Sequence, residues 1–127
     1  MKTRSVSASD APQPAGGYAQ VCEVTGPNRW AFVSGQIPEA VDGSVPTDFT
    51  AQARLVWGNI AAQLRAVDMT LANIVKVTIF LSDRKFSVEN RTVRNEVLGD
   101  LAPALTVIIT GIFDSAWLLE IEAVAAA

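Results

Sequence analysis

Two glutamates near the end of the chain are the strongest candidates for acid–base chemistry. Glu120 and Glu122 are two residues apart in a run, 117–124, whose other members are mostly apolar. In a β-strand that spacing puts both carboxylates on one face, about 7 Å apart. Because the sequence has no histidine and a single cysteine, proton transfer must rely on carboxylates, with lysine or the one tyrosine as poorer candidates. A solvated strand face would explain the same pair without any chemistry.

The composition and the charge narrow the class of protein. With 127 residues, of which 50% are hydrophobic and 18% charged, the chain is expected to form one globular domain. A formal net charge of −3 does not suit a nucleic-acid-binding surface, which needs many lysines and arginines to contact phosphates. No stretch resembles a membrane span or a secretory signal. Since one cysteine cannot build a disulfide framework, we expect a cytoplasmic protein. Because no stretch resembles a membrane span, we expect no membrane partner.

The same residue counts exclude the usual metal sites. Zinc and iron–sulfur sites are built from several histidine and cysteine ligands, and this sequence offers Cys22 alone. Cys22 lies in a strand-like segment and has no histidine to activate it. We therefore predict a small buried apolar side chain rather than a nucleophile.

The hydrophobic pattern predicts five strands and two helices. Residues 1–16, rich in Ser, Ala and Pro, are predicted to be a flexible lead-in to a single domain at 17–127. The first two strands, 18–24 and 30–34, are predicted to pair as a hairpin across the turn signal Thr25-Gly26-Pro27-Asn28. The other elements are a helix at 48–68, a strand at 74–82, a helix at 86–98 and strands at about 104–113 and 117–126.

The order β-β-α-β-α-β-β indicates an α+β sandwich of two layers. Each helix has one apolar stripe that it must bury against a sheet. In the first helix the stripe consists of Phe49, Ala53, Val56, Ile60, Leu64 and Val67. With both helices on one face of a mixed sheet, the other face remains uncovered. We therefore expect the chain to form an oligomer.

Four segments of the chain together resemble the RidA/YjgF family of small trimeric proteins. They are Gly17–Gln20, Phe32–Pro38, Ile74–Asp83 and Leu119–Ala125. The sequences F-V-S-G-Q-I-P and E-I-E-A are the most specific, and the segments span nearly the whole chain after residue 16. The resemblance implies a chorismate-mutase-like fold, packed as a homotrimer with a cleft at each subunit boundary. It also implies that no metal or organic cofactor is needed.

The resemblance further implies an activity and a set of site residues. The typical activity is hydrolysis of reactive enamines and imines, such as 2-aminoacrylate, to a ketoacid and ammonia. The first glutamate of E-I-E, here Glu120, positions the attacking water. Tyr18 and the backbone around Ser34 and Gly35 help to shape the site. Judged without the resemblance, Tyr18 would equally suit a core aromatic, and Gly35 would only permit a tight turn.

The chain departs from the family pattern at the clamp for the substrate carboxylate. The family has an arginine after a Pro-Ala pair, whereas Leu105 follows Pro103-Ala104 here. Val107, on the same strand face, stands where the family often has a cysteine or another small polar residue. A guanidinium makes a bidentate contact to a carboxylate that leucine cannot imitate. Glu120 is expected to face this apolar strip and to be partly desolvated there.

Two functions are compatible with this departure. The first is a hydrolase or deaminase that acts on a reactive enamine or imine, with an altered substrate preference because of Leu105. The second is a catalytically inactive trimer that binds a small molecule or regulates a partner. Three other arginines, Arg29, Arg91 and Arg94, could replace the missing clamp, although a solvated surface position would explain each of them.

Overall fold

A computed structural model describes residues 1–127 of the chain. The strands are β1 (Lys2–Val6), β2 (Val21–Thr25), β3 (Trp30–Gln36), β4 (Ile74–Leu81), β5 (Ala104–Ile109) and β6 (Leu119–Ala126). The helices are α1 (Phe49–Arg65) and α2 (Ser87–Leu98), and short 3-10 turns precede β4 and α2. The two predicted helices and five predicted strands are all present, most of them with shorter ends than the pattern predicted.

Four strands form one mixed sheet with the order β3-β6-β4-β5. Strand β6 is antiparallel to both β3 and β4, whereas β4 and β5 run parallel and are connected through α2. Val93 of α2 and Ile60 of α1 belong to one buried cluster with Ile79 of β4. Both helices therefore cover the same face of the sheet, which confirms the predicted α+β architecture.

The apolar stripe of α1 forms the centre of the core. Its members Val56, Ile60 and Leu64 are fully buried, as the three- and four-residue spacing predicted. Asp48 caps the helix, since its Oδ2 accepts a hydrogen bond of 3.0 Å from the backbone N–H of Ala51. Val67 was expected to continue the stripe, but it lies beyond the end of α1 and is 42% exposed. The helix ends before that position can face the sheet.

Alternation along β4 divides the sheet into a helix-covered face and an open face. Val77, Ile79 and Leu81 point to the helices and are fully buried. Thr78 and Phe80 point the other way and are paired in β6 with Glu122 and Glu120. Because directly paired residues lie on the same side of a sheet, both glutamates lie on the open face, as their spacing predicted.

The predicted hairpin between the first two predicted strands, which correspond to β2 and β3, is wrong. Strand β2 pairs with β1, and β3 pairs with the C-terminal strand β6. Gly26 in the turn signal has φ 63°, but Arg29 exchanges backbone hydrogen bonds of 2.9 and 3.0 Å with Ala127 instead of continuing a hairpin. Pairing with β6 brings Val33 onto the core, and this burial outweighs the local preference for a two-strand hairpin.

The predicted lead-in contains a regular strand that the sequence pattern did not indicate. Lys2–Val6 is antiparallel to Val21–Thr25, with Arg4 opposite Glu23. All five residues of β1 are exposed, so the sequence shows no alternation of apolar and polar residues that would predict this strand. A second attachment comes from Ala19, which forms an isolated parallel bridge with Ala104 at the start of β5. The N-terminal segment thereby runs beside the edge of the main sheet.

Candidate functional site

The carboxylate of Glu120 lies directly over the backbone of Gly35 on the neighbouring strand. A Cβ atom built on Gly35 would lie 2.9 Å from Cδ of Glu120 and 3.1 Å from its Cγ, closer than real Cβ contacts allow. Gly35 does not have a positive φ. Its role is therefore to leave space for the glutamate rather than to permit a turn. The pairing of β3 and β6 is irregular between Val33 and Gln36, which brings this backbone under the carboxylate.

Glu120 is half-buried and has no partner of opposite charge. The molecule's ion pairs join Arg4 to Glu23 and Arg54 to Glu96, so none involves this carboxylate. Glu120 also lines a cavity of about 260 Å³ with Phe80 and the 110–113 segment. A carboxylate with free oxygens beside an open cavity can hold and deprotonate a water molecule.

Ser34 lies next to Gly35 but faces a different space. It is exposed and lines a cavity of about 430 Å³ at the outer edge of β3. Its carbonyl oxygen accepts a hydrogen bond of 2.9 Å from the side chain of Gln36. Within one chain, Ser34 and Gly35 lie on β3, the strand next to Glu120, whereas Tyr18 lies at the opposite edge of the sheet, beside β5.

The expected contact between Glu120 and the apolar strip of β5 does not occur within one chain. Leu105 pairs with Val77 and Val107 with Ile79, so both point to the helix-covered face. Glu120 pairs with Phe80 and lies on the open face. The intervening strand β4 and the alternation of side chains separate the two groups.

Three of the predicted site residues meet in a separate cavity between α2 and β5. Tyr18, Leu105 and Val107 line this space of about 210 Å³ together with Arg91 and Arg94. An adjoining cavity of about 170 Å³ shares Val107 and both arginines. We name these two spaces together the α2–β5 cavity. It combines an apolar wall from β5 with two guanidinium groups from α2.

Tyr18 is a polar-tipped lining residue of this cavity. Its ring is half-buried, and the guanidinium carbon of Arg94 lies 5.8 Å from the ring centre. The hydroxyl oxygen accepts a hydrogen bond of 3.2 Å from the backbone N–H of Ala15. This geometry is that of a cation–π contact between Arg94 and Tyr18.

The three arginines that were considered as replacements for the clamp have different environments. Arg29 donates a hydrogen bond of 2.7 Å to the carbonyl of Val67 and thereby fixes the chain after α1. Arg91 is exposed and lines the α2–β5 cavity, as does Arg94. Arg94 is only 4% exposed, contrary to the expectation of a solvated position. Burial lowers the pKa of Arg94, and repulsion from Arg91 lowers it further.

Arg94 is a site residue whose burial sequence reasoning missed, whereas Asn90 lies on the side of α2 that the pattern groups with Phe86, Val93 and Val97. Both are 4% exposed, and they lie four residues apart on the face of α2 that contains Val93. The signal was present, because polar residues at i and i+4 beside a buried valine lie on the inner face of a helix. Strand and helix periodicity alone did not show that the N-terminal segment would cover them.

Cys22 is half-buried and lies outside both cavities. Partial burial raises the pKa of its thiol, against a smaller opposing effect from a hydrogen bond with Ser5. A raised pKa disfavours the thiolate, so the environment does not activate the sulfur.

No three Cys, Asp or Glu side chains converge closely enough to hold a metal ion. Neither α1 nor α2 has the length and hydropathy of a membrane-spanning helix.

Comparisons with known proteins match most of this chain. A family model described as endoribonuclease L-PSP matches residues 8–127. A RutC family protein of Pyrococcus horikoshii is 33% identical over 122 residues, which cover 91% of both chains. The 2-iminobutanoate/2-iminopropanoate deaminase of Escherichia coli is 33% identical over 92 residues, 71% of this chain and 70% of the relative. The crystal structure of YyfB from Yersinia pestis, a Rid family protein of unknown function, is 20% identical, covers 100% of both chains and gives a TM-score of 0.86.

Proposed function

The chain belongs to the endoribonuclease L-PSP family, which contains the RidA/YjgF proteins, and on this premise we propose that it hydrolyses a reactive enamine or imine and releases ammonia. The observation that carries the proposal is the half-buried, unpaired carboxylate of Glu120 over the backbone of Gly35. The name of the Escherichia coli relative specifies a deaminase of 2-imino acids. A related activity requires a water-activating group, and Glu120 is the residue suited to that task.

The proposed reaction needs one group that moves protons. The substrate enters as the protonated imine. Glu120 accepts a proton from water while the water oxygen bonds to the carbon of the C=N group, and the nitrogen takes the π electron pair and becomes an amine. The protonated carboxyl then gives that proton to the amine nitrogen. The C–N bond breaks and ammonia leaves, while the hydroxyl group loses its proton to the carboxylate of Glu120 and becomes the carbonyl of the product. An enamine enters the same path after it tautomerises to the imine.

The proposed active site is shared between two copies of the chain in a homotrimer. Glu120 and Gly35 lie on the open face, whereas Leu105 and Val107 point to the helix-covered face. One substrate can therefore touch both groups only if they come from different subunits. The open face also exposes large apolar side chains, with Phe32 77% and Trp30 50% exposed. Their burial between subunits supports an oligomer.

The apolar wall of β5 favours a substrate different from 2-aminoacrylate. Leu105 and Val107 offer a surface for an aliphatic or aromatic substituent and no hydrogen bond. A substrate such as 2-aminoacrylate, which has no apolar tail, gains little there. The description of the family model names a ribonuclease, but a net charge of −3 opposes binding of a polyanion.

Ammonia release from a panel of enamines and imines generated in situ tests the proposed function. We expect the wild-type chain to accelerate hydrolysis of at least one member, and Glu120→Gln to lower that rate by about a hundred-fold or more. Glu122→Gln is the matched control, because it removes a carboxylate from the same face of the same strand and should retain the wild-type rate. A wild-type rate no higher than that of Glu120→Gln on every member would overturn the proposal and favour a trimer that only binds its ligand.

A further inference from the structure

Two guanidinium groups line the α2–β5 cavity without any carboxylate to neutralise them. Arg91 and Arg94 are three residues apart in α2, so they lie on adjacent turns of one helix face. The ion pairs of the molecule involve Arg4 and Arg54 only. Two like charges at this spacing repel each other, which destabilises the cavity wall unless an anion is bound.

Arg94 is held in place and yet not fully satisfied. Its Nη2 donates a hydrogen bond of 3.1 Å to the carbonyl of Gly16, while its buried Nε has no partner. Asn90, in the preceding turn, has a buried Oδ1 without a partner. Two of the three unpartnered buried side-chain atoms of the chain are thus on the cavity side of α2. Buried polar groups of this kind normally have a partner, and a bound molecule can supply one to Arg94.

The N-terminal segment fixes the position of the Arg94 guanidinium. Gly17 has φ 74°, and a Cβ atom on it would lie 3.3 Å from Nη2 of Arg94. The Tyr18 ring covers the guanidinium from the next residue. A guanidinium that is already oriented loses little side-chain entropy when it binds an anion.

We propose that Arg94, assisted by Arg91, binds the carboxylate of a ligand whose apolar tail lies against Leu105 and Val107. The proposal rests on the proposed function in one respect, namely that the ligand is the imino acid to be hydrolysed. The guanidinium would then come from a helix instead of from position 105 on the strand. The apolar wall next to the two cations defines the ligand class as a monocarboxylate with an aliphatic or aromatic substituent.

Binding of a stable 2-oxo acid tests this site directly. The probe is 4-methyl-2-oxopentanoate, titrated into the full-length protein by calorimetry, and its uncharged amide is the matched ligand. We expect Arg94→Met to weaken binding of the acid by about thirty-fold or more, the effect of removing one member of a buried charge pair. The amide should bind the wild type no more tightly than the acid binds Arg94→Met. Equal binding of acid and amide to the wild type would overturn the proposal.

Further variants keep the test valid if Arg94→Met does not fold. Arg91→Met changes an exposed side chain and should weaken acid binding several-fold, whereas Arg65→Met, on the solvated side of α1, should leave it unchanged. Two results together would contradict the proposal. They are that Arg91→Met binds the acid as tightly as the wild type does, and that Arg94→Lys binds both the acid and the amide with wild-type affinity. Dissociation of the oligomer by Arg91→Met would assign the two cations to a carboxylate of a second copy and would also overturn it.

The same measurements separate this inference from the proposed function. If Glu120→Gln binds the acid normally and the wild type hydrolyses no imine, the carboxylate site stands and the hydrolase proposal fails. If ammonia is released at a rate that Arg91→Met and Arg94→Lys leave unchanged, the hydrolase proposal stands and the carboxylate site fails.

Discussion

The side chain of Glu120 occupies the space that a Cβ atom on Gly35 would need. An alanine at position 35 would place its Cβ 2.9 Å from the Glu120 Cδ, so the carboxylate must move. We expect Gly35→Ala to lower the rate of imine hydrolysis at least ten-fold, and to change the free energy of unfolding little, because the atoms that must move are the end of a flexible side chain. Initial rates and urea denaturation measure the two effects.

Gly58→Ala is the control for that substitution. Gly58 lies on the exposed face of α1, and a Cβ atom there meets nothing within 4 Å. Alanine should therefore stabilise the helix by about 0.5–1 kcal/mol and leave the activity unchanged. Full activity of Gly35→Ala would show that the position of Glu120 does not matter for the reaction.

A site shared between subunits predicts that two inactive variants restore activity when they are mixed. Glu120→Gln removes the proposed water-activating group, and Val107→Trp fills the α2–β5 cavity. If chains of both kinds are unfolded together, refolded and assembled at random, about a quarter of the sites contain an intact Glu120 and an intact cavity. Each variant refolded alone should stay inactive. The absence of activity in a mixture whose mixed oligomers are demonstrated by native mass spectrometry would contradict a shared site.

The proposed role of Arg94 predicts how activity changes when the guanidinium is moved from α2 to position 105 on β5. Leu105→Arg alone adds a third cation beside Arg91 and Arg94, so we expect lower stability and no gain of activity. Arg94→Leu alone should lose most of the activity on an imino acid. The double variant Leu105→Arg with Arg94→Leu keeps the charge and volume of the cavity. It should recover part of the activity that Arg94→Leu loses. Ammonia release by the four proteins measures the effect, and a double variant no better than Arg94→Leu would oppose the exchange.

Cys22 predicts a pH dependence of stability at alkaline pH. Partial burial raises the pKa of the folded thiol, so folding favours the protonated form. The resulting stabilisation is present below the unfolded pKa of about 8.5 and is lost as the pH rises through the folded pKa. Alkylation at pH 8.5 should be slower in the folded than in the unfolded chain. In Cys22→Ala the stability between pH 8 and 10 should fall less steeply.

The fold was predictable to the extent that each element carries its own pattern. The stripe of α1 and the alternation along β4 report burial residue by residue, and both were confirmed except at Val67, which lies beyond the end of α1. The partner of β3 was not predictable in this way. A strand's pattern shows which face is buried but not which strand lies beside it, and the nearest turn signal indicated the wrong one. Strand β1, exposed along its whole length, has no apolar pattern that could have been recognised.

The candidate site was predictable as a list of residues but not as an arrangement. Family resemblance identified Glu120, Gly35, Tyr18 and Leu105, and treated Glu120 and Leu105 as neighbours. The register of β4 with its two neighbours puts them on opposite faces. A one-residue change of register would reverse that result. Such a relationship depends on pairing across the sheet and is absent from any single segment of sequence.

The sequence by itself determined the kinds of chemistry available to this protein. Without histidine, and with a single cysteine, carboxylates are the best candidates for proton transfer, and Leu105 removes the expected guanidinium from β5. Only the tertiary structure decided where a positive charge is available instead. Arg94 is buried because α2 packs its inner face toward β5 while the segment around Gly16 covers it. Burial depends on elements far apart in the chain, which is why the spacing within α2 could indicate an inner position for Arg94 but could not determine that it is covered.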